Sequence, residues 1–470
     1  MSIYKSDTIA AISTPRGTGG IAVIRISGGD ARAVAGRIFS PATIPAITEA
    51  KNARAYYGAI HKPGETDALD CGIATVYLAP RSYTGEDTVE ISCHGGVLVT
   101  NCVLAAALDA GARLAEAGEF TRRALISGKL TLTEAEATGE LLYAKTQAQL
   151  AVSGGCAASR TREAADGIAA DLLALIARVN VIIDYPGEDL ADISRDELRG
   201  ECIKIKSAVE ALQRTYRTGR AVTAGIEAVI CGLPNAGKST LFNRFTGEQS
   251  AIVTDIAGTT RDIITADVAA GRVLLHLSDT AGIRDAEDKI ERIGVDRARD
   301  KIGSAELLII VLDAEVPPVR EDLTLLSAAA PVKLAVINKT DAGGDNSDIE
   351  NNIAAYITAC RDTGTRYVLT SLTDADGGFG DIVDFIDHAF TDADITLGKD
   401  AVITNERQHS EISAAAVALA GAVDAETAGL PVDLTVCELE SALSALSRLS
   451  GREVGTEVVD AIFSKFCVGK

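Results

Sequence analysis

Apolar and polar residues follow two periods along this chain, and the change from one period to the other divides it into segments. In the first 125 residues, short runs such as GGIAVIRISG, CGIATVYLAP and TVEISCHGG alternate with alanine-rich stretches such as GVLVTNCVLAAALDAGA. The short runs, rich in β-branched residues, predict strands, and the longer stretches predict helices. Residues 1–125 are therefore predicted to form a mixed α+β domain.

A helical period dominates residues 126–222 and returns over residues 394–470. In both segments apolar residues recur three and four positions apart, which places them on one side of a helix. Gly451 follows the second set and predicts the end of that helix. The two sets are Ile168, Leu172, Leu175, Ile176 and Val179, and then Val436, Leu439, Leu443, Leu446 and Leu449.

Residues 223–393, between these two segments, have the pattern of an α/β domain, because short apolar strands alternate there with helices. Since helical segments flank it on both sides, we expect one all-α domain that carries the α/β domain as an insertion. Three independent domains in a row are the alternative. The predicted fold is multidomain, with an α+β domain at the N-terminus, an all-α domain and an inserted α/β domain.

The chain ends on FSKFCVGK, in which two phenylalanines precede a cysteine and a lysine. Apolar residues just upstream lie at positions i, i+3, i+4 and i+7, which predicts a helix from Thr456 to Phe466 with one buried side. Such a helix would hold Cys467 and Lys470 in a fixed place, although chain ends usually fray. The apolar residues are Val459, Ile462, Phe463 and Phe466.

Composition narrows the class of protein. A chain of 470 residues, 47% of them hydrophobic, is long enough for two to four domains. It has no apolar run long enough to span a bilayer, and its start lacks the pattern of a signal or transit peptide. Its nine cysteines show no C-x-x-C spacing, which is typical of reduced thiols. We therefore expect a cytoplasmic protein.

The net charge of the chain is −21, which argues against a nucleic-acid-binding surface that covers the whole protein.

The strongest chemical signal is AVICGLPNAGKST, a predicted strand that leads into Gly232-x-x-x-x-Gly237-Lys238-Ser239 and a helix. The glycines let backbone N–H groups turn toward phosphate oxygens. Lys238 reaches the β- and γ-phosphates, and Ser239 offers its hydroxyl to Mg²⁺. The pattern predicts a phosphate-binding loop.

Two later motifs specify the nucleotide as GTP. The strand RVLLHLS ends in Asp279–Gly282, where a carboxylate can hold Mg²⁺ and a glycine N–H can contact the γ-phosphate. The strand KLAVIN ends in Asn338–Asp341, where a carboxylate can accept hydrogen bonds from guanine N1 and N2. Three motifs in this order, each at the carboxyl end of a strand, predict a GTP-binding domain.

The residue that positions the attacking water is not fixed by these motifs. Ras-like proteins have a glutamine after the D-x-x-G glycine, and this chain has Ile283 there. The loop TDIAGTTRD supplies Thr259 and Thr260, which can close over Mg²⁺ and the γ-phosphate. Acidic residues that follow Ile283 are the candidates to place the water, and the sequence alone does not choose among Asp285, Glu287, Asp288 and Glu291.

The segments GLPNAGKST, IVTDIAGTTRD, DTAGIRDAEDKIERIG and FCVGK together resemble the MnmE (TrmE) family of tRNA modification GTPases, over essentially the whole chain. The resemblance implies an N-terminal folate-binding and dimerisation domain. It also implies a helical domain in two parts and an inserted P-loop G domain, Ras-like with a mostly parallel sheet. It implies a homodimer whose G domains face each other.

The same resemblance implies roles for individual residues. Glu291 would orient the attacking water as the catalytic residue. Mg²⁺ would be held by Ser239 and Thr260, and K⁺ by Asn235, Thr254, Ile256 and Thr259. The folate contacts would be Arg25, Glu90, Lys129 and Lys470. The GTP contacts would be Asn235, Ala236, Gly237, Lys238, Ser239 and Thr240, then Thr254, Asp255, Ile256, Ala257, Gly258, Thr259 and Thr260, then Asp279, Thr280, Ala281 and Gly282, and finally Asn338, Lys339, Thr340 and Asp341.

The function implied by the resemblance joins GTP hydrolysis to tRNA modification. With the flavoprotein MnmG (GidA), the chain would add an aminomethyl or carboxymethylaminomethyl group to C5 of the wobble uridine of certain tRNAs. A tetrahydrofolate derivative, in its 5-formyl or 5,10-methylene form, would supply the methylene carbon. K⁺-dependent GTP hydrolysis would drive a conformational change. Most tRNA contacts would come through the complex, with Arg122, Arg123 and the segment QRTYRTGR supplying the rest.

Two features depart from the family pattern. The guanine loop TSLTDADGG has Leu372 after Ser371 where alanine is usual, so we expect modestly lower affinity with unchanged specificity. The acidic run DYPGEDL is looser than in the family and has no assigned role. Cys467 is either a functional thiol or an inert buried one.

Two other classes of protein share part of this pattern. A ribosome-assembly GTPase would have the same G motifs, but it should also carry a basic RNA-binding module, which this acidic chain lacks. A folate-dependent one-carbon transferase with a vestigial GTPase would fit the N-terminal domain. The intact Lys238, Ser239, Asp279 and Asp341 argue against a vestigial GTPase.

Overall fold

The computed structural model describes residues 7–184, 194–248, 264–279, 303–341, 347–374 and 377–451, together with residues 462, 463, 466 and 469. Contacts divide the chain into two compact units. Unit one is Met1–Gly139 with Ser447–Lys470, and unit two is Glu140–Leu446. The sequence predicts that all of residues 394–470 belong to the helical domain, whereas the contacts group Ser447–Lys470 with the N-terminal residues. The domain boundaries drawn from the sequence remain predictions.

In unit one, the described residues form a seven-stranded sheet. Its strands are β1 (Ile9–Ile12), β2 (Ile21–Ser27), β3 (Phe39–Pro41), β4 (Arg54–His61), β5 (Ala68–Tyr77), β6 (Thr88–His94) and β7 (Arg113–Leu114). They lie in the order β3-β4-β5-β6-β2-β1-β7. β7 runs parallel to β1, and the other neighbouring strands are antiparallel. This agrees with the predicted α+β class.

Alternation along the strands buries one face of this sheet in a large apolar core, while on the opposite face Ile9 and Ala11 of β1 are buried in a smaller cluster with Phe120. Ile24 and Ile26 of β2 and Ile91 of β6 are fully buried, and they pack in one core with helix residues such as Val103. Arg25 and Glu90 occupy the intervening positions and so lie on the opposite face. The helices of this region are α1 (Ala31–Gly36), α2 (Val97–Asp109), α3 (Glu119–Ile126) and α4 (Leu132–Tyr143), with a 3₁₀ turn at Ile47–Glu49.

The described residues of the α/β segment form a six-stranded sheet. Its strands are β8 (Ile226–Gly232), β9 (Ile264–Ala270), β10 (Val273–Asp279), β11 (Leu307–Asp313), β12 (Val332–Asn338) and β13 (Arg366–Leu369). They lie in the order β13-β12-β11-β8-β10-β9, with only the edge strand β9 antiparallel. Apolar cores cover both faces of the sheet, which explains continuous apolar runs such as LLIIVLD. This is the mostly parallel, Ras-like sheet that the family resemblance implies.

Helices occupy much of the rest of unit two. Within the described ranges they are α5 (Gln147–Ser153), α6 (Gly155–Asp184), α7 (Arg195–Arg214), α8 (Tyr216–Thr223), α9 (Lys238–Glu248), α10 (Arg320–Leu326), α11 (Ser347–Asp362), α12 (Phe379–Phe390), α13 (Glu406–Thr427) and α14 (Val432–Ser450). In α6 and α14 most residues of the predicted apolar stripes are buried, for example Leu172 and Leu439, while Ile168 and Leu443 are half-buried. α14 ends where Gly451 adopts a φ of 83°, as predicted from the sequence. No helix in the described part of the chain is long and apolar enough to cross a bilayer.

The described residues near the C-terminus pack within unit one. Phe463 and Phe466 are buried, and with Ala135 they form a small apolar cluster that Leu125 and Ile462 flank. Beyond them, the Ser13 hydroxyl donates to the Gly469 carbonyl at 3.0 Å. Ile462, Phe463 and Phe466 therefore have the packing role that their spacing predicts. Thr456–Ala461, which include Val459, lie outside the described residues.

Candidate functional site

The phosphate loop lies between β8, a central strand of the sheet, and α9. Two positions of this loop must be glycine, because neighbouring atoms leave no room for a Cβ atom. A Cβ atom on Gly232 would lie 2.2 Å from the Val311 carbonyl oxygen, and one on Gly237 would lie 2.2 Å from Nδ2 of Asn338. Gly237 has a φ of 111°, and Asn235 also has a positive φ, of 63°. These are backbone conformations that glycine and asparagine tolerate best, so the loop can curl tightly at the carboxyl edge of the sheet.

The side chains of this loop divide into buried and exposed ones. Lys238 is only 9% exposed, and its Nζ donates to the Leu233 carbonyl across the loop at 2.8 Å. Asn235 and Ser239 are exposed at the rim. Beneath the loop, burial raises the pKa of the Cys231 thiol to about 12, although the nearby Lys238 ammonium opposes the shift. The loop thus presents the Lys238 ammonium and the exposed side-chain oxygens of Asn235 and Ser239, and the Cys231 thiol beneath it stays protonated.

The guanine loop predicted at Asn338–Asp341 follows β12 directly. Asn338 is buried, and its amide nitrogen donates to the Ala236 carbonyl of the phosphate loop at 2.9 Å. Lys339 has a φ of 63°, and its Nζ contacts Oδ2 of Asp313 at 2.5 Å. Asp341 is exposed, so its carboxylate is accessible to a ligand. The two predicted loops therefore form one connected surface at the edge of the sheet.

The loop that contains Leu372 completes this surface. The Leu372 N–H donates to Oδ1 of Asn338 at 3.0 Å, while the leucine side chain is buried. Thr340 is fixed from the same segment, because its N–H and its hydroxyl both donate to the Thr370 carbonyl, at 3.2 and 3.1 Å. The leucine, which stands where the family resemblance implies alanine, packs its side chain into the core behind the loop.

The D-x-x-G motif is described only at its first residue. Asp279 ends β10, and its backbone pairs with Ile230 of β8, which puts it at the same edge as the phosphate loop. Its side chain and the remaining predicted site residues lie outside the described residues. These are Thr254, Asp255, Ile256, Ala257, Gly258, Thr259, Thr260, Thr280, Ala281, Gly282, Ile283, Asp285, Glu287, Asp288, Glu291, Cys467 and Lys470.

A second polar cluster lies on the outer face of the sheet in unit one. Arg25 and Glu90 face each other across β2 and β6, and Nη2 of Arg25 lies 2.8 Å from Oε1 of Glu90. The Arg25 guanidinium also stacks over Tyr83 and Phe120, 5.2 and 5.5 Å from the ring centroids. Burial, and then the Glu90 carboxylate, raise the pKa of Tyr77. Two predicted folate residues therefore meet in a partly buried, aromatic-walled site.

Sequence reasoning missed the aromatic walls of this cluster. Tyr83 lies in a loop and Phe120 in α3, and neither has a motif that would connect it to β2. Lys129, the third predicted folate residue, is exposed, and its Cγ would lie 3.3 Å from a Cβ built on Gly85. This brings the Lys129 stem close to the loop that carries Tyr83, but no direct contact with Arg25 or Glu90 is observed.

The prediction of a basic tRNA-contacting spot at Arg122 and Arg123 is wrong for Arg123. That side chain is only 2% exposed, because it is enclosed by three carboxylates. It donates to Asp7 at 2.9 Å, to Glu119 at 3.0 Å and to Glu86 at 3.1 Å. A double-arginine pattern predicts a surface patch, but Arg123 is neutralised by Glu119, one helical turn away, and by Asp7 and Glu86, which are distant along the chain.

The segment QRTYRTGR is also partly engaged within the protein. Arg220 pairs with Glu306, whose Oε1 lies 2.7 Å from Nη1. Arg217 donates to the Ala389 carbonyl. Two of the three arginines in this segment therefore make contacts within unit two, while Arg214, at the end of α7, and Arg217 are exposed.

A phosphate loop after a central strand and an Asn-Lys-x-Asp loop, on a six-stranded sheet with one antiparallel edge, define a Ras-like P-loop GTPase. Residues 8–129 match the family model "GTP-binding protein TrmE N-terminus", and residues 132–467 match "MnmE helical domain". The chain belongs to the MnmE family of tRNA modification GTPases. The six-stranded sheet lies inside the second match, as expected for an insertion in a helical domain.

Relatives named tRNA modification GTPase MnmE align along the whole chain. The protein of Levilactobacillus brevis is 38% identical over 467 residues, which cover 99% of this chain and 98% of the relative. That of Acetivibrio thermocellus is 36% identical over 470 residues, covering 100% of both chains. That of Heliobacterium modesticaldum is 37% identical over 474 residues, covering 99% of each.

Proposed function

We propose that this chain hydrolyses GTP in the cytoplasm in order to drive modification of tRNA. In this proposal it acts as a homodimer with a flavin-containing partner, MnmG. The pair adds an aminomethyl or carboxymethylaminomethyl group to C5 of the wobble uridine. The observation that carries the proposal is the direct link between the phosphate loop and the guanine loop through Asn338, in a chain that belongs to the MnmE family.

Each described residue of the nucleotide site has a chemical role in this proposal. The N–H groups around Gly237 and the Lys238 ammonium bind the phosphates. The exposed Ser239 hydroxyl, at the start of α9, suits a Mg²⁺ ligand, and Mg²⁺ would neutralise charge on the β- and γ-phosphates. Asp341 would accept two hydrogen bonds from guanine N1 and N2. Thr260 and Asp279 would complete the Mg²⁺ site.

Hydrolysis would depend on K⁺. The exposed Asn235 on the rim of the loop supports this, because an amide oxygen there is a suitable donor for a hard cation. Thr254, Ile256 and Thr259 would supply the remaining oxygens. K⁺ beside the phosphates supplies the positive charge that an arginine finger supplies in other GTPases.

A comparison of GTP turnover in KCl and in NaCl tests whether hydrolysis depends on K⁺. GTP turnover should be fast in KCl and slow in NaCl at equal ionic strength, because Na⁺ is too small for donors spaced to hold K⁺. Asn235→Ala should remove the difference. Equal rates of the unmodified protein in the two salts would contradict the K⁺ proposal and leave the GTPase assignment intact.

Glu291 would orient the attacking water, since Ile283 has no group that can do so. Glu291→Ala should keep GTP affinity near normal and slow hydrolysis by about 10²-fold, the scale expected when positioning is lost. Asp285→Ala, Glu287→Ala and Asp288→Ala serve as parallel controls. If one of these three slows hydrolysis and Glu291→Ala does not, the role belongs to that residue.

The outer face of the sheet in unit one would bind the reduced folate, as its 5-formyl or 5,10-methylene form. The Arg25–Glu90 pair with its aromatic neighbours supports this, because a pterin edge can bond to a carboxylate and its ring can stack. Lys129 and Lys470 would contact the folate carboxylates. The hydrogen bond from the Ser13 hydroxyl to the Gly469 carbonyl supports this, because it attaches the C-terminal residues to unit one.

Deleting Cys467–Lys470 separates the two halves of the proposal. Folate binding, measured by calorimetry with 5-formyltetrahydrofolate, and wobble-uridine modification, measured by mass spectrometry of cellular tRNA, should both be lost. K⁺-stimulated GTP turnover should persist. Cys467→Ser and Lys470→Ala, made singly, assign the loss to the thiol or to the ammonium. Normal modification by the truncated protein would contradict the folate role of the tail.

A further inference from the structure

Lys339 of the guanine loop has a backbone conformation that lysine disfavours. Its φ is 63°, in the left-handed region where the Cβ atom of an L-residue is crowded. Among the described residues only three non-glycine residues have a positive φ, namely Ala53, Asn235 and Lys339. Such a conformation persists when the surrounding contacts fix it. The contacts around Lys339 are therefore informative.

Two carboxylates hold the Lys339 side chain. Nζ lies 2.5 Å from Oδ2 of Asp313 and 2.9 Å from Oε2 of Glu315. These contacts, with Asp313 contributing most, raise the pKa of Lys339. Asp313 is the last residue of β11 and pairs with Asn338 across the sheet. The lysine is thus anchored to the strand beside the one that precedes its own loop.

The turn that carries the two carboxylates is itself fixed. Oδ1 of Asp313 accepts a hydrogen bond from the Glu315 N–H at 3.0 Å. The N–H of Ala314 donates to the Asn338 carbonyl at 3.0 Å, and the Ala314 carbonyl accepts from Asn352 of α11 at 3.0 Å. The Asp313 side chain is 15% exposed. The carboxylates therefore form a rigid support for Lys339.

We propose that Asp313 and Glu315 are positioning residues for guanine nucleotide binding, because they hold Lys339 in its left-handed conformation and so direct Asp341 toward the base. The proposal rests on the guanine role of Asp341. According to this proposal, the affinity for the nucleotide and the preference for guanine depend partly on the turn at Asp313–Glu315, which lies outside the recognised GTPase motifs. Asp313 contributes more than Glu315, since its contact is shorter and Glu315 is 48% exposed.

Nucleotide affinities of the full-length chain test this directly. Asp313→Asn should weaken binding of a fluorescent GDP analogue about tenfold, the equivalent of one charge-assisted hydrogen bond. Glu315→Gln should weaken it by less. Preference for GTP over xanthosine triphosphate should fall in Asp313→Asn, because a displaced Asp341 no longer selects the guanine edge. Turnover at saturating GTP should be unchanged.

Glu306→Gln is the matched control. Glu306 lies just before the first residue of β11, whereas Asp313 is the last residue of that strand. The two carboxylate oxygens of Glu306 accept hydrogen bonds from Arg220 at 2.7 and 3.1 Å. Glu306→Gln therefore removes a comparable ion pair next to the opposite end of β11 from Asp313, away from the predicted nucleotide site. It should lower stability without changing affinity or base choice. Equal nucleotide effects in Asp313→Asn and Glu306→Gln would overturn the proposal.

A double substitution tests the backbone argument. In Lys339→Gly the left-handed conformation needs no support, so adding Asp313→Asn should cause no further loss of affinity. Additive losses would overturn the proposal. If the unmodified chain does not prefer GTP over ATP, the guanine role of Asp341 is wrong. This result is different from additive losses, which would contradict only the positioning role of Asp313 and Glu315.

Discussion

Asn338 donates its side-chain amide to the carbonyl of Ala236, 2.9 Å away and 102 positions earlier in the chain. Its carbonyl oxygen accepts the N–H of Leu372 at 3.0 Å. One buried side chain therefore joins the phosphate loop, the guanine loop and the loop after β13. Because its side-chain amide bonds to both neighbouring loops inside the protein, Asn338 fixes the phosphate loop and the guanine loop relative to each other.

Asn338→Ala should damage both stability and nucleotide binding. The substitution leaves the Ala236 carbonyl and the Leu372 N–H without this partner, which should cost about 2 kcal/mol of unfolding free energy. GDP affinity should fall at least tenfold as the loops separate. Asn405→Ala is the control, since Asn405 caps α13 by accepting the Gln408 N–H at 3.0 Å. It should destabilise by about 1 kcal/mol and leave GDP affinity unchanged.

Gly237→Ala should abolish tight nucleotide binding. The new methyl group would collide with Nδ2 of Asn338, and the φ of 111° disfavours any residue with a Cβ atom. We expect GDP affinity to fall by more than about tenfold in calorimetric titration. Gly247→Ala, in the helix α9 that follows the loop, has nothing within 4 Å of the new methyl group. It should bind normally and gain up to about 1 kcal/mol of stability. Equal affinities of the two variants would contradict this account of the loop.

Phe466→Ala should destabilise unit one. The ring packs with Phe463, 5.1 Å between centroids, and a Cβ built on Gly139 would lie 2.9 Å from its Cζ. Removing a buried phenylalanine costs about 3–5 kcal/mol, and because Phe466 is 9% exposed we expect the lower end. Thermal unfolding should show a lower first transition. Leu98→Ala, at a side chain that is 76% exposed, should change stability by less than about 0.5 kcal/mol.

His276 should titrate above its ordinary range. Burial alone would lower its pKa, but the Asp267 carboxylate at 2.7 Å and the Ala224 carbonyl at 2.8 Å outweigh burial and raise it. Lys145, which pairs with Asp267 at 2.6 Å, and Glu227 are the other charged groups nearby. An NMR titration of the imidazole should therefore give a midpoint above about 6.5.

The stability that follows from this shift has a definite sign. A group whose pKa is higher in the folded state stabilises most below its unfolded pKa, and the contribution is lost as pH rises through the folded value. Urea unfolding should thus show a larger difference between the unmodified chain and His276→Gln at pH 6 than at pH 9. A difference that grows with pH would contradict the assignment.

Local chemistry in the sequence was enough to predict several elements. The order of glycines, lysine and serine from Gly232 to Ser239 defines a phosphate loop wherever it follows a strand, because the geometry lies within eight consecutive residues. The apolar stripes of α6 and α14 predicted those helices, and Gly451 predicted the end of α14. Leu372 departs from the pattern that the resemblance implies, and its burial in the core is not visible in the sequence.

The sequence by itself determined the fold class, the nucleotide motifs and the family, since these depend on residue types at short fixed spacings. Only the tertiary structure decided which distant side chains meet. It joined Asn338 to Ala236, placed Tyr83 and Phe120 around Arg25, and set Asp313 against Lys339. It also enclosed Arg123 among carboxylates, where the sequence predicted a surface cation. Long-range contacts of this kind depend on strand order and packing, and no local period or motif encodes them.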